Sequence, residues 1–269
     1  MSRWIRIFHP VADPAARLVC FPHAGGTASS YAALSEALAR QRIQVLAVQY
    51  PGRHERFSEP CVTDADELVA AVLGALPVIE DGHALGLLGH SMGAVLAFEA
   101  AHRLRDRGIP VTALFASARH APSTPWVGPD PAERDEVEIL ADTRWLGGTS
   151  DSVLASRELV EFVLPSLRGD YRLLAGYRYR ARRAPLDCPL VTLVGDADPA
   201  VSPEDLLAWR RETAGDFRRH VLPGGHFYLD DRSAEVAALV GAALRDEPHE
   251  HADEERRTHG ARPGAVRRS

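Results

Sequence analysis

Five consecutive residues, Gly89-His90-Ser91-Met92-Gly93, set a serine between two glycines. The apolar run Ala84–Leu88 leads into them, and a stretch from Ala94 with apolar residues three and four apart follows, so the motif sits between a strand and a helix. A turn that tight leaves no room for side chains beside the serine, strains Ser91 itself and lifts its hydroxyl above the sheet. The helix starting beneath it aims backbone N–H groups at the same point, which favours the negative oxygen of a tetrahedral intermediate. This arrangement suits nucleophilic attack by Ser91 on an acyl carbon, with the Met92 amide as one oxyanion donor.

A serine hydroxyl is too weak an acid to attack unaided, so it needs a base and a group that orients that base. Downstream, the apolar run Leu190–Val194 ends in Gly195-Asp196-Ala197-Asp198-Pro199, which puts carboxylates at the C-terminal edge of a strand, where α/β sites lie. Asp198, three residues beyond the glycine, is the preferred orienting acid, and Asp196 reads as a turn-forming carboxylate bonded to local amides. Among 12 histidines, His226 in Pro223-Gly224-Gly225-His226-Phe227 is the expected base, because it follows the last strand on a small-residue loop that leaves its ring free to reach Ser91. His90 reads as a support for the serine turn. Upstream, Phe21-Pro22-His23-Ala24-Gly25-Gly26 follows another apolar run, and its small residues let main chain approach a substrate carbonyl. Ala24 is the expected second oxyanion donor, Gly25 the alternative, and His23 a packing residue of the loop.

Positioning these residues takes alternating strands and helices. Leu18–Phe21, Gln44–Val48, Leu85–Leu88, Ala113–Ala116, Leu190–Val194 and Arg218–Leu222 read as strands. Tyr31–Arg40, Asp64–Leu76, Gly93–Arg107, Glu204–Thr213 and Ser233–Leu244 read as amphipathic helices. The alternation predicts the α/β class, with a doubly wound, mostly parallel sheet. It breaks at about 120–183, where Pro122, Pro125, Pro129 and Pro131 lead into helical segments with no strand between them. That pattern predicts an insertion over the sheet edge, a helical lid. Its last segment carries Leu159, Val160, Val163, Leu164, Leu167, Tyr171 and Leu174 on one stripe, expected to pack on the sheet domain or to shape a substrate tunnel.

With 269 residues, 45% of them hydrophobic and 25% charged, the chain can bury one full core, so residues 1–245 read as a single catalytic domain. Residues 246–269 hold almost no aliphatic side chains and read as a disordered tail, with His249, His251 and His259 solvated. A net charge of −6, with arginines interleaved among acids, argues against nucleic-acid binding. No apolar run approaches the roughly 18 residues that cross a bilayer, and the N-terminus lacks a signal sequence, so a cytoplasmic location is expected. Cys20, Cys61 and Cys188 are an odd count without a C-x-x-C pair and suggest neither disulfides nor zinc.

Taken together, FPHAGG at 21–26, VQYPGR at 48–53, GHSMGA at 89–94, GDADP at 195–199 and PGGHFYL at 223–229 resemble the stand-alone type II thioesterases of polyketide and nonribosomal peptide synthases, members of the α/β-hydrolase superfamily. The resemblance runs to about Arg245 and leaves the tail outside. It implies hydrolysis of acyl groups from the phosphopantetheine arm of an acyl or peptidyl carrier protein, clearing misprimed or stalled chains through Ser91, His226 and Asp198. It also implies that no metal or organic cofactor is needed, and a monomer is expected. Two other readings stay open: a carboxylesterase of small oxygen esters, with the same triad, and a carrier-binding module that has lost catalysis.

Overall fold

A computed structural model describes residues 3–77, 82–125, 133–148, 156–181 and 183–245. Seven strands form one sheet: β1 (Ile5–Arg6), β2 (Ala16–Phe21), β3 (Ile43–Val48), β4 (Ala84–His90), β5 (Ala113–Ser117), β6 (Leu190–Gly195) and β7 (Phe217–Leu222). Their order is β1-β3-β2-β4-β5-β6-β7, and every pairing is parallel except that of β1 with β3. The six long strands are those expected from the apolar runs. The two-residue β1 is an addition, too short to show any alternation of its own.

Helices cover both faces. α1 (Ala32–Ala39) and α7 (Ser233–Leu244) bring Leu34, Leu38, Val236 and Val240 against Leu18, Val45 and Leu88. α2 (Ala65–Ala75) and α3 (Met92–Asp106) bring Leu68, Val69, Leu96 and Ala97 against Val19, Leu46 and Leu87. Neighbouring strand residues thus serve opposite cores, as the two-residue repeat of a strand requires, and the central strands are apolar on both faces because both are covered. A short α6 (Tyr228–Asp231) precedes α7. The segment expected as a helix at Glu204–Thr213 is a 3-10 helix over Asp205–Glu212 instead, seated on fully buried Leu206 and Trp209.

The chain leaves β2 for β3 on one side and returns to β4 on the other, so the sheet's switch point lies between β2 and β4. Crevices form at the C-terminal ends of strands at such a point. The loop from Pro22 and the serine turn both open there.

Between β5 and β6 the insertion supplies α4 (Glu136–Leu146) and α5 (Arg157–Gly176). α4 starts with a reciprocal capping box between Asp135 and Glu138 and ends at Gly147 in the left-handed region, so both ends are locally encoded. The α5 stripe divides: Leu164 and Leu167 form a small core with Ile139 of α4, joined by Val163 and Tyr171, while Leu174 packs on the main core. Leu159 is exposed, so the N-terminal end of the stripe does not pack on the sheet domain. Pro129, Pro131 and the tail, with its three histidines, lie outside the described residues. Cys20 and Cys188 are buried free thiols and Cys61 is half-buried. No helix among the described residues is long and apolar enough to cross a membrane.

Candidate active site

Ser91 stands between the end of β4 and the first residue of α3, with φ 53° and ψ −117°, a strained backbone for a residue with a Cβ. The two glycines around it are required by contact. A Cβ on Gly89 would overlap the Gly93 carbonyl, and one on Gly93 would overlap the carbonyl oxygen of Phe21 in β2. The turn is pinned from β5, where the Ser117 carbonyl accepts the Ser91 N–H at 2.8 Å. No side chain caps α3, and among the described residues the Met92 N–H has no acceptor.

His226 and Asp198 come together from loops after β7 and β6, with Nδ1 and Oδ2 2.8 Å apart and side-chain exposures of 3% and 0%. The other carboxylate oxygen, Oδ1, accepts the amides of Ala200 at 2.8 Å and Val201 at 3.2 Å, which fixes the plane Asp198 presents to the ring. A carboxylate at Nδ1 selects the tautomer protonated there and leaves Nε2 as an acceptor. That Nε2 is buried and has no hydrogen-bond partner. The His226 ring lies 5.3 Å from the ring of His90, the residue before Ser91. Asp196 points elsewhere, its Oδ1 accepting the Gly224 N–H at 2.9 Å to tie the β6 loop to the β7 loop.

His90 and His23 complete a cluster of three imidazoles. His90 Nδ1 meets the Ser117 hydroxyl at 2.8 Å, and that hydroxyl meets Tyr228 at 2.6 Å, so His90 braces the turn from inside. Burial, then the nearby His226 and His23, hold His90 well below the usual imidazole range. His23 stacks its ring over Gly26, 2.9 Å from where a Cβ would sit, and meets the Phe227 ring edge-on at 4.8 Å. Burial pushes it down to about 4, with the charges of His226 and Arg53 adding to the effect. The insertion reaches this cluster, for Phe227 also lies 2.6 Å from where a Cβ of Gly148, just beyond α4, would be.

The loop after β2 separates the two candidate donors. The Gly25 N–H is taken, donating to Asp170 Oδ2 of α5 at 2.7 Å. The Ala24 N–H has no acceptor among the described residues. Sequence reasoning did not find Asp170 or Ser117, which belong to no local motif, and it found Arg53 and Tyr228 only as letters of YPGR and PGGHFYL.

A strained serine between β4 and α3 at the switch point of a mostly parallel sheet, with an Asp–His pair delivered after β6 and β7, defines an α/β hydrolase. Within that class the chain belongs to the thioesterase family: the thioesterase domain model matches residues 16–244. It is 43% identical over 237 residues to the thioesterase PikA5 of Streptomyces venezuelae, covering 87% of this chain and 82% of that protein. Among solved structures it resembles the type II thioesterase BorB from the borrelidin biosynthetic cluster at 42% identity and TM-score 0.79, covering 90% of this chain and 98% of the other. It also resembles RedJ, a thioesterase of the prodiginine pathway in Streptomyces coelicolor, at 36% identity and TM-score 0.78, covering 87% and 95%. The protein is thus an enzyme that hydrolyses thioesters.

Proposed function

We propose that Ser91, His226 and Asp198 act as a catalytic triad that releases acyl groups from the phosphopantetheine arm of an acyl or peptidyl carrier protein, editing a polyketide or nonribosomal peptide synthase. The observation that carries the mechanism is the divided state of His226: Nδ1 is held by Asp198 while the buried Nε2 has no partner. A base so held takes the Ser91 proton as Oγ attacks the thioester carbonyl. The tetrahedral oxygen then faces the unclaimed amides of Met92 and Ala24. His226 returns the proton to the departing thiol, and a water activated by the same nitrogen releases the free acid from Ser91. Asp198 keeps the imidazole in register and stabilises its charged form.

The carrier-bound substrate is supported by the pathways in which BorB and RedJ are found. We further place the enzyme in the cytoplasm as a monomer beside its synthase, with its single catalytic domain ending near Arg245. The decisive experiment loads one carrier protein with a panel of acyl groups and follows acid release. Ser91→Ala is expected to lower turnover by about 10⁴-fold or more with the fold retained. Wild-type turnover by that variant would end the mechanism, and preference for a small oxygen ester over its carrier-bound thioester would end the substrate assignment.

A further inference from the structure

None of these steps uses the buried pair of Arg53, on the loop after β3, and Asp170 of α5. They lie 117 residues apart in sequence and are 5% and 1% exposed. The guanidinium grips the carboxylate through two parallel bonds, Nη1 to Oδ2 and Nη2 to Oδ1, each 2.7 Å. Arg53 also lies 5.2 Å over the ring of Tyr50. Burial opposes the guanidinium charge, and the Asp170 carboxylate overrides it, raising the Arg53 pKa. Burying two charges incurs a desolvation penalty that apolar side chains avoid, so such a pair is poorly explained as a stabilising device alone.

Arg53 Nε also reaches the Pro51 carbonyl of its own loop at 3.4 Å, and the pair bonds a second loop, the one after β2, from two sides. Asp170 Oδ2 accepts the Gly25 N–H at 2.7 Å, and Arg53 Nη1 lies 3.4 Å from the Gly26 carbonyl oxygen. The loop is a turn there: the Gly26 N–H donates to the His23 carbonyl at 2.9 Å, and Gly25 has φ +73°, the signature of a type II turn. Types I and II differ by a flip of the central peptide, here the one joining Ala24 to Gly25. As folded, the N–H of that peptide faces the carboxylate. Flipped, the Ala24 carbonyl oxygen would face a negative charge where little water screens it.

We infer that Asp170, held in register by Arg53, is a positioning residue that pins the turn at its Gly25 N–H and, through Arg53, at its Gly26 carbonyl, and thereby holds the adjoining Ala24 N–H in place as an oxyanion donor. This rests on the donor assignment proposed above. The carboxylate works through the turn and touches no reacting atom, so its loss should lower kcat and leave KM alone. The bond also ties α5 of the lid to the donor loop, which makes a docked α5 a condition for a formed oxyanion hole.

The test is kcat and KM on a p-nitrophenyl acyl ester and on an acyl-pantetheine thioester, with thermal melts to establish folding. A double variant, Arg53→Met with Asp170→Leu, removes both charges and the Gly25 acceptor while filling the space, a replacement that buried ion pairs tolerate. It is expected to melt near the wild type and to lose about 10- to 100-fold in kcat, short of the loss from deleting a donor outright, with KM within about twofold. Arg53→Lys keeps the charge but cannot form the two-pronged grip, and should lose roughly three- to tenfold in kcat. The pH profile of kcat should keep its shape in both, because His226 and Asp198 are untouched. Either folded variant with kcat within about twofold of the wild type overturns the inference, as does a loss that comes with a raised KM or a shifted profile. If the double variant does not fold, Arg53→Lys decides. A wild type that cleaves the p-nitrophenyl ester but no thioester defeats the substrate reading and leaves this inference standing on the ester; a wild type that cleaves neither defeats both.

Discussion

Two aspartates stand two residues apart after β6, and their surroundings assign them different work. Asp198 lies fully buried against His226, while Asp196 ties one loop amide at the surface. Asp198→Asn should therefore lower kcat by about 10⁴-fold through the wrong tautomer of His226, and Asp196→Asn should stay within a few fold. Equal losses in steady-state turnover would erase that division of labour. His23 leaves a signature of a different kind. Its folded pKa of about 4 lies below the ordinary 6.5, so the folded state binds fewer protons than the unfolded chain across that window. Stability then rises with pH from 4 to 6.5 and is lost as pH falls through the same range, by up to about 3 kcal/mol, less whatever solvent at the part-exposed ring screens away. His23→Gln should reduce that slope in urea melts taken between pH 4 and 6.5, with the buried His90 and His102 keeping the remainder, and an unchanged slope would place the titration elsewhere. Ser91 and Asp198 were legible because each follows an apolar run within a short motif, and His226 because it sits on a glycine-rich loop after the last strand. Arg53 and Asp170 were not: their partnership spans 117 residues, and neither residue sits in a pattern that announces the other.

At the level of elements, apolar runs located β2 to β6 to within two residues, since a strand buried on both faces needs no alternation to be seen. The same reasoning misjudged Asp205–Glu212, because the three-residue spacing of its buried Leu206 and Trp209 is shared by α and 3-10 turns. The helix after Ser91 shows contact overriding propensity in a form that can be measured. Alanine is favoured over glycine inside a helix by about 1 kcal/mol, so Gly93→Ala in α3 would stabilise if propensity ruled. The overlap of its Cβ with the Phe21 carbonyl, part of a backbone that cannot give way, predicts instead a loss of at least about 2 kcal/mol. Gly74 in α2 is the control, because a Cβ there meets nothing within 4 Å, and Gly74→Ala should be neutral or stabilising by up to about 1 kcal/mol. Urea midpoints moving in the same direction for both variants would refute the steric account of the serine turn.

Across the whole molecule, stability is unevenly distributed. The two cores on either side of the sheet are continuous, whereas α4 and the first half of α5 rest on the small cluster of Ile139, Leu164 and Leu167. Val137, Trp145 and Leu159 on these helices are 73%, 60% and 46% exposed, and Phe162, itself 48% exposed, reaches the sheet domain only by stacking on the exposed Phe57 at 4.6 Å, so little of their apolar surface holds the insertion down. Regions with few buried apolar contacts open at lower free energy than the body that carries them. The second half of α5 differs, because the Asp170 bonds to Arg53 and Gly25 anchor it to the loops after β3 and β2. Native-state hydrogen exchange should accordingly find amides of α4 and of residues 157–163 exchanging at least about 100-fold faster than those of β2 and β4, with protection rising again from Leu167 onward. That gradient would let a bulky acyl arm enter by lifting the outer part of the insertion while the loop after β2 stays formed. Uniform protection through α4 and α5, matching the central strands, would mean that the lid is part of the rigid body and that substrate must reach Ser91 by another route.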